Sequence, residues 1–330
     1  MDSLPLSKAA SNRAPLSSEM SRIFLFLSTG RCGTQWLAET LASGFADVAD
    51  VTHEPIDAAY HPRDFIRAYD RLDDMLELTP IRDHLRRVER TIEDRAYIET
   101  GWPVYAAIPL YIKVFGESVV RVVHIPRHPV HVAASFVTHG FWRGRADEFA
   151  THGVLDPWAP GVVMTEYASR WPRMTPYEKC LYWWAELQLY GADLKDRYPS
   201  LGFHGITFEE LFASDGSALR ELVDFLELPR RDLGGAVERR IDEHRSRGAR
   251  FNWWEIYDHP KVLAVAESLG YHVRWSSADE LNARYGVSMT ERIRRVARPL
   301  RRITARVRAA DRSARAARAQ RSVGSPPGDP

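Results

Sequence analysis

The stretch Arg22-Ile23-Phe24-Leu25-Phe26-Leu27-Ser28-Thr29-Gly30-Arg31-Cys32-Gly33-Thr34-Gln35-Trp36 decides how the chain is read. Its five consecutive apolar residues, Ile23 to Leu27, lead into a small-residue loop and then Trp36-Leu37-Ala38-Glu39-Thr40-Leu41. The pattern reads as a buried strand, a tight turn and a helix that opens on backbone N–H groups. Such a turn cradles anions: unpaired amides and the positive helix end favour a phosphate or sulfate by up to ~2 kcal/mol, and the Arg31 guanidinium adds to this. A turn that binds nothing has the same local pattern, so the rest of the chain must separate the two.

Moving outward, Gly44 is placed to end the first helix, and Ala49-Asp50-Val51-Thr52 offers a second strand. It runs into His53-Glu54-Pro55, where Pro55 is expected to hold Glu54 extended at the strand's end. Residues 60–92 are charged and helix-prone, with Phe65, Leu72, Leu76, Leu85 and Val88 as apolar positions. Ala96 to Thr100 reads as a third strand, Val104 to Phe115 as a helix closed by Gly116, and Val119 to Ile125 as a fourth strand. Strands alternating with helices imply an α/β fold: a doubly wound parallel sheet flanked by helices, in a single main domain. Ligands then belong at the carboxyl ends of the strands, where Arg31, Glu54, Thr100 and Arg127 all fall.

The run Pro126-Arg127-His128-Pro129-Val130-His131-Val132-Ala133-Ala134-Ser135 supplies a second anion site. Pro129 suits a helix's first turn, which leaves Arg127 just before the helix and the Ser135 hydroxyl about two turns in. Residues 139–176, rich in Trp, Gly and Pro, are the expected acceptor lid. Tyr177 to Tyr198 reads as a helix, Gly202 to Thr207 as a further strand, and Leu219 to Leu228 as a helix stopped by Pro229. Residues 231–275 read as helical, with a loop around Arg245 to Arg250.

Composition limits the rest. Of 330 residues 45% are hydrophobic and 27% charged, as in a globular protein able to bury a core. Two cysteines, Cys32 and Cys180, make no disulfide framework, which points to a reducing, cytoplasmic setting. The first 20 residues read as a flexible N-terminus without a secretory h-region, and no apolar run approaches the ~18 residues of a membrane span. Net charge is +1, yet residues 291–321 hold twelve arginines against Glu291 and Asp311, a local +10 that leaves the remainder at −9. Ile293, Val296, Leu300, Ile303, Val307, Ala310, Ala314 and Ala317 form an apolar seam on that basic segment. The domain plan is therefore a body over 21–285 and an Arg-rich amphipathic or disordered tail over 286–330. Such a tail either lies on an anionic membrane surface or a partner helix, which would make the cytoplasmic protein peripheral at the membrane, or stays helix-prone and solvated; no nucleic acid is expected.

Several chemistries fail on the residues. A nucleotide-triphosphate loop needs Gly-Lys-Ser/Thr, whereas Cys32-Gly33-Thr34-Gln35 has no lysine, and the strand before Arg127 ends in Ile125-Pro126 rather than a metal-holding Asp. A thiol phosphatase places Arg six residues after its Cys, and that position is Ala38. His124, His128 and His131 would share a metal only on one continuous helix, which Pro126 and Pro129 break, so no metal is expected.

Arg31 to Trp36, Arg127 to Ser135 with its spacing of eight, and Phe208-Glu209-Glu210-Leu211 followed by Phe225-Leu226-Glu227-Leu228 together resemble the P-loop sulfotransferase family, and the carbohydrate-type members in particular. The likeness spans roughly Ile23 to Tyr271, and its first two motifs are the specific ones. The resemblance implies a P-loop-type fold and 3′-phosphoadenosine 5′-phosphosulfate (PAPS) as co-substrate. It implies that Arg31, Cys32, Gly33, Thr34 and Gln35 hold the 5′-phosphosulfate, with Arg31 stabilising the bridging oxygen, that Arg127 and Ser135 hold the 3′-phosphate, and that Trp36 stacks on adenine. For the base that takes the acceptor hydroxyl's proton, Glu54 is the first choice, matching a Glu-Pro pair of carbohydrate-type members, and His53 the second. The acceptor would be a sugar, glycolipid or metabolite hydroxyl. Cys32, Gln35 and Phe208 depart from the family's usual Ser, Thr and Tyr, and Arg247-Gly248 with Arg250 are the candidates for a C-terminal nucleotide loop. The rival reading is a non-catalytic nucleotide- or anion-binding protein, with a P-loop kinase further behind.

Overall fold

The computed structural model describes residues 22–142, 153–213, 215–233 and 252–273. All of these except Asn252 belong to one compact unit, residues 1–249 and 253–277; the second, 250–252 and 278–330, is otherwise outside them, as are the expected flexible start, the basic tail and the Arg247–Arg250 loop.

Strand β1 (Ile23–Leu27) is apolar on both faces because both are covered, and none of its side chains is more than 1% exposed. It sits in the middle of a five-stranded sheet of order β2-β3-β1-β4-β5, with β2 at Ala49–Thr52, β3 at Ala96–Glu99, β4 at Val120–His124 and β5 at Gly202–Gly205. Every pairing is parallel; Leu25 registers with Glu99 on one side and Leu27 with His124 on the other. Helix α1 (Thr34–Phe45) carries the chain from β1 to β2 at one edge. The segment to β3 contains α2 (Pro62–Phe65), α3 (Leu72–Glu77) and α4 (Thr79–Thr91), and α5 (Ile108–Phe115) crosses to β4. From β4 the chain continues outward through α6 (Pro129–Thr138) and α7 (Pro176–Arg197) to β5, then α8 (Phe208–Leu211), α9 (Ser217–Phe225) and α10 (Pro260–Ser268). The chain thus leaves the adjacent strands β1 and β4 in opposite directions, and the crevice between their carboxyl ends is the binding position of an open parallel sheet. This is the doubly wound α/β architecture that the alternation predicts.

Two local expectations change. The first helix does not end at Gly44 but runs to Phe45, and a Cβ on Gly44 would lie 2.7 Å from Leu233 Cδ2. Close approach, rather than a left-handed cap, accounts for that glycine. Within 104–115 the chain first makes a 3-10 turn (Trp102–Ala107), and the α-helix starts only at Ile108, with Pro109 in its first turn.

The described part of the 139–176 segment is fastened to the body. Buried Glu186 of α7 accepts the Val163 amide at 3.0 Å and the Met164 amide. Arg67 donates to the Gly161 carbonyl at 3.0 Å, and Arg63 pairs with Asp156. Val154, Leu155, Met164, Tyr167 and Trp171 are buried, while Trp158 is 57% exposed. Residues 143–152 lie outside the described residues.

Candidate active site

The turn after β1 reverses direction through three left-handed residues, Gly30 (φ 76°), Arg31 (φ 58°) and Gly33 (φ 77°). Glycine is required at the last for space as well: a Cβ on Gly33 would lie 2.7 Å from Phe212 Cε2. Arg31 has no such freedom, and a non-glycine residue there costs about 1–3 kcal/mol, a strain that folded proteins keep chiefly where it serves a site. Gly33 caps α1 without a side-chain hydrogen bond, and the helix's first bond runs from the Leu37 amide to the Gly33 carbonyl at 2.9 Å. The amides of Thr34 and Gln35 therefore precede the intrahelical ladder at the helix's positive end.

The two halves of the expected anion site meet. Arg31 Nε donates to Ser135 Oγ of α6 at 2.9 Å, across 104 residues of sequence. Arg127, just beyond β4, donates from its guanidinium to the Arg31 carbonyl at 2.6 Å, and its Cζ lies 4.0 Å from the centre of the Phe208 ring. The loop carrying Arg127 is held from both sides: Trp184 Nε1 donates to the Arg127 carbonyl at 3.0 Å, and the Phe208 amide donates to the Pro126 carbonyl at 2.9 Å. Phe208, without a tyrosine hydroxyl, offers its ring face to the cation.

Other expected residues are placed differently. Cys32 is fully buried; its thiol donates to the Gly30 carbonyl at 3.2 Å, and burial pushes it up to about 11 against the partial relief of the Thr29 contact. It is no nucleophile at neutral pH, and any contact with an anion would come from its backbone. The Gln35 side chain points along the helix surface, 3.4 Å from Glu39, so it too would act through its amide. Trp36 is 3% exposed, its ring centre 4.6 Å from that of Phe212, so the face expected for adenine is already covered by a phenyl ring in this conformation.

The base candidates lie at the end of β2. Glu54 is left-handed (φ 52°) rather than extended, which corrects the expectation drawn from Pro55. Gly101 permits this bend, since a Cβ there would lie 2.6 Å from the Glu54 amide nitrogen. Burial raises the Glu54 carboxyl to about 7, with Asp57 adding to the rise; an N–H of the Trp102 backbone and the Arg31 charge oppose it. The carboxyl and Arg31 thus share one electrostatic field. His53 Nε2 is 3.6 Å from Glu54 Oε1 and its Nδ1 is 3.2 Å from Thr100 Oγ1; burial lowers its pKa, opposed by the charges of Glu99 and Glu39.

Phe212, Trp102 and Thr100 complete the site, and sequence patterns did not single out the first two. Trp102 packs its ring against Gly30, where a Cβ would come within 3.2 Å. A Trp-Pro pair directly after the Glu99-Thr100-Gly101 strand end is the only signal that could have marked it. Of the three histidines weighed as metal ligands, His124 sits in β4 and its Nε2 is 2.7 Å from Gln188 Oε1, away from the His128–His131 pair. Among the described residues no group of three or more His, Cys, Asp or Glu could hold a metal, and no helix is long and apolar enough to cross a membrane.

No protein-family model and no curated protein matches the chain. Among solved structures it is similar to the sulfotransferase domain from the curacin biosynthetic pathway, at 16% identity over 77% of this chain and 99% of that one, with a TM-score of 0.44. It is also similar to a sulfotransferase from Alicyclobacillus acidocaldarius, at 18% identity over 74% and 94% of the two chains with a TM-score of 0.41. A mouse sulfotransferase complexed with PAP matches at 15% identity over 83% and 87%, with a TM-score of 0.39.

Proposed function

We propose that this chain is a sulfotransferase that moves a sulfuryl group from PAPS to an acceptor hydroxyl on a sugar, glycolipid or metabolite. One observation carries the reading: the Arg31–Ser135 hydrogen bond joins the amide-rich turn after β1 to the Arg127 loop after β4, with the Glu54 carboxyl within the field of Arg31. A donor with two separate anionic ends needs two anion-holding groups at one crevice, and a transfer that deprotonates a hydroxyl needs a base beside them.

The amides of Cys32, Gly33, Thr34 and Gln35 and the Arg31 guanidinium would take the 5′-phosphosulfate. Arg127 and Ser135 would take the 3′-phosphate, for which Arg31 must exchange its Ser135 bond for one to the donor. As the acceptor oxygen forms its bond to sulfur, Glu54 takes the hydroxyl proton. The bond from sulfur to the bridging oxygen breaks, leaving its electron pair on the 5′-phosphate, where Arg31 stabilises the charge. The leaving group is already a phosphate ester of low basicity, so preorganised donors suffice in place of a Lewis acid.

The test is calorimetric titration of 3′,5′-adenosine bisphosphate in EDTA, followed by transfer from PAPS to an acceptor library read by mass spectrometry. Micromolar or tighter binding without Mg²⁺, with transfer lost but binding kept in Glu54→Gln, supports the reading. No bisphosphate binding, or Mg²⁺-dependent ATP turnover instead, refutes it, and binding with no transfer to any acceptor favours the non-catalytic binder. For the segment after Thr290 we propose contact with an anionic membrane surface; unchanged co-sedimentation with anionic vesicles after its deletion would refute this.

A further inference from the structure

His53 and Glu54 read in the sequence as rivals for one task, yet hydrogen bonding around His53 orders them. Thr100 Oγ1 donates its single proton to the Thr52 carbonyl at 3.3 Å. The same oxygen is 3.2 Å from His53 Nδ1, and with its proton turned to the Thr52 carbonyl it accepts there, which places the hydrogen on Nδ1. In neutral His53 the lone pair is then on Nε2, the nitrogen that faces Glu54 Oε1 at 3.6 Å. A bare imidazole nitrogen and a bare carboxylate oxygen repel each other, whereas one proton between them turns the contact into a hydrogen bond once Glu54 rotates a few tenths of an ångström closer.

We propose that His53 and Glu54 work as one unit holding a single shared proton, in which Glu54 meets the substrate and His53 is its positioning residue rather than a second base. The role in transfer rests on the sulfotransferase reading; the tautomer and the shared proton do not. In the transfer the acceptor's proton arrives on a Glu54 carboxylate oxygen and stays there, the carboxyl O–H donating to the bare His53 Nε2. Neutral His53 is then held at both nitrogens, Nδ1–H by Thr100 Oγ1 and Nε2 by the Glu54 carboxyl. The bond that forms is the carboxyl O–H and the one that breaks is the acceptor's O–H, and the proton leaves to water after product release.

The surrounding charges favour this division. Arg31, from the turn after β1, opposes the rise of the Glu54 carboxyl, while Asp57, from the segment after Glu54, and Glu99, from β3, add to it. On His53, burial is the largest influence and lowers the pKa, against the opposing charges of Glu99 and of Glu39 from α1, so the shared proton stays with Glu54. Glu99 is itself fully buried, accepting from the hydroxyls of Tyr97 at 2.7 Å and Tyr60 at 2.9 Å, so its position is fixed behind the pair.

The experiment uses the full chain labelled with ¹⁵N-histidine, with His53 signals assigned from their loss in His53→Asn. Long-range ¹H–¹⁵N spectra of the neutral form should show Nδ1 protonated and Nε2 bare. The His53 signals should titrate in two steps, one near neutral pH as the pair takes its shared proton and one lower as the imidazolium forms, collapsing to a single step in Glu54→Gln. Thr100→Val should lose the Nδ1–H preference and Thr100→Ser should keep it, with circular dichroism and melting temperature confirming that each variant is folded. An Nε2–H tautomer in the unsubstituted protein, or the same single step with and without Glu54, overturns the inference. These readouts need no donor. Failed bisphosphate binding with the tautomer and two steps intact would sink the sulfotransferase reading alone, and the reverse pattern would sink only this one.

Discussion

Replacing Arg127 with Ala tests the site most sharply, because this side chain has both a structural and a ligand-binding duty of calculable size. The guanidinium makes a 2.6 Å bond to the Arg31 carbonyl and stacks 4.0 Å from the Phe208 ring centre. A net hydrogen bond is worth about 0.5–1.5 kcal/mol and a half-buried cation–π contact about 0.5–2 kcal/mol. Losing both should cost roughly 1–3 kcal/mol and lower the melting temperature by about 2–8 °C. For ligand binding, a charged donor to a phosphate is worth about 1.5–3 kcal/mol, or roughly a 10- to 150-fold weaker Kd for 3′,5′-adenosine bisphosphate. Adenosine 5′-phosphate, which lacks the 3′-phosphate, should lose less than threefold by the same comparison of affinities, about 0.6 kcal/mol. The assay is calorimetric titration of both nucleotides into Arg127→Ala and Arg127→Lys, with circular dichroism to show that each is folded. Arg127→Lys should recover part of the affinity, since it restores charge without the planar fork. Bisphosphate affinity unchanged within twofold in a folded Arg127→Ala, or equal losses for the two nucleotides, would refute the assignment of Arg127 to the 3′-phosphate.

Three further outcomes are expected. Because the Glu54 carboxyl rises from 4.5 to about 7 on folding, the native state holds a proton that the unfolded chain releases. This contribution is complete below pH 4.5 and is lost as pH rises through about 7, so the melting temperature should fall over that window and do so less in Glu54→Gln, while kcat/KM of the unsubstituted protein rises with an apparent pKa near 7. Cys32, buried and held up at about 11, should resist iodoacetamide at pH 7.5 in the folded protein, and Cys32→Ser should bind bisphosphate within threefold; rapid native alkylation would show the turn to be open. Gly33→Ala places a Cβ 2.7 Å from Phe212 in a left-handed turn, and should destabilise the protein by roughly 2–4 kcal/mol and weaken bisphosphate binding at least tenfold; chemical denaturation and calorimetry read the two effects.

Much of the fold is legible because it is local. Ile23 to Leu27 and Val120 to His124 are strand-sized apolar runs, and each of the five strands lies where alternating runs and helical stretches place it. Helix starts carry local chemistry as well: Thr175 and Glu178 form a capping box at the start of α7, as do Thr207 and Glu210 at the start of α8. What is not legible depends on partners far along the chain. Gly44 reads as a helix stop, but its neighbour is Leu233; Trp36 reads as an open ring, but Phe212 covers it. Pro55 implies an extended Glu54, but the close passage of Gly101 bends it into the left-handed region.

By itself the sequence determined the parallel α/β architecture, the strand-turn-helix through Gly30 to Gly33 and the positions of Arg127, His53 and Glu54 at strand ends, because periodicity, turn chemistry and helix starts are properties of a few consecutive residues. The tertiary structure alone decided that Arg31 bonds to Ser135 across 104 residues, that Cys32 is sealed from solvent, and that His53 lies between Thr100 and Glu54. These are contacts between side chains brought together by packing, and their chemistry is set by burial and by which donor already has an acceptor, neither of which a linear pattern contains.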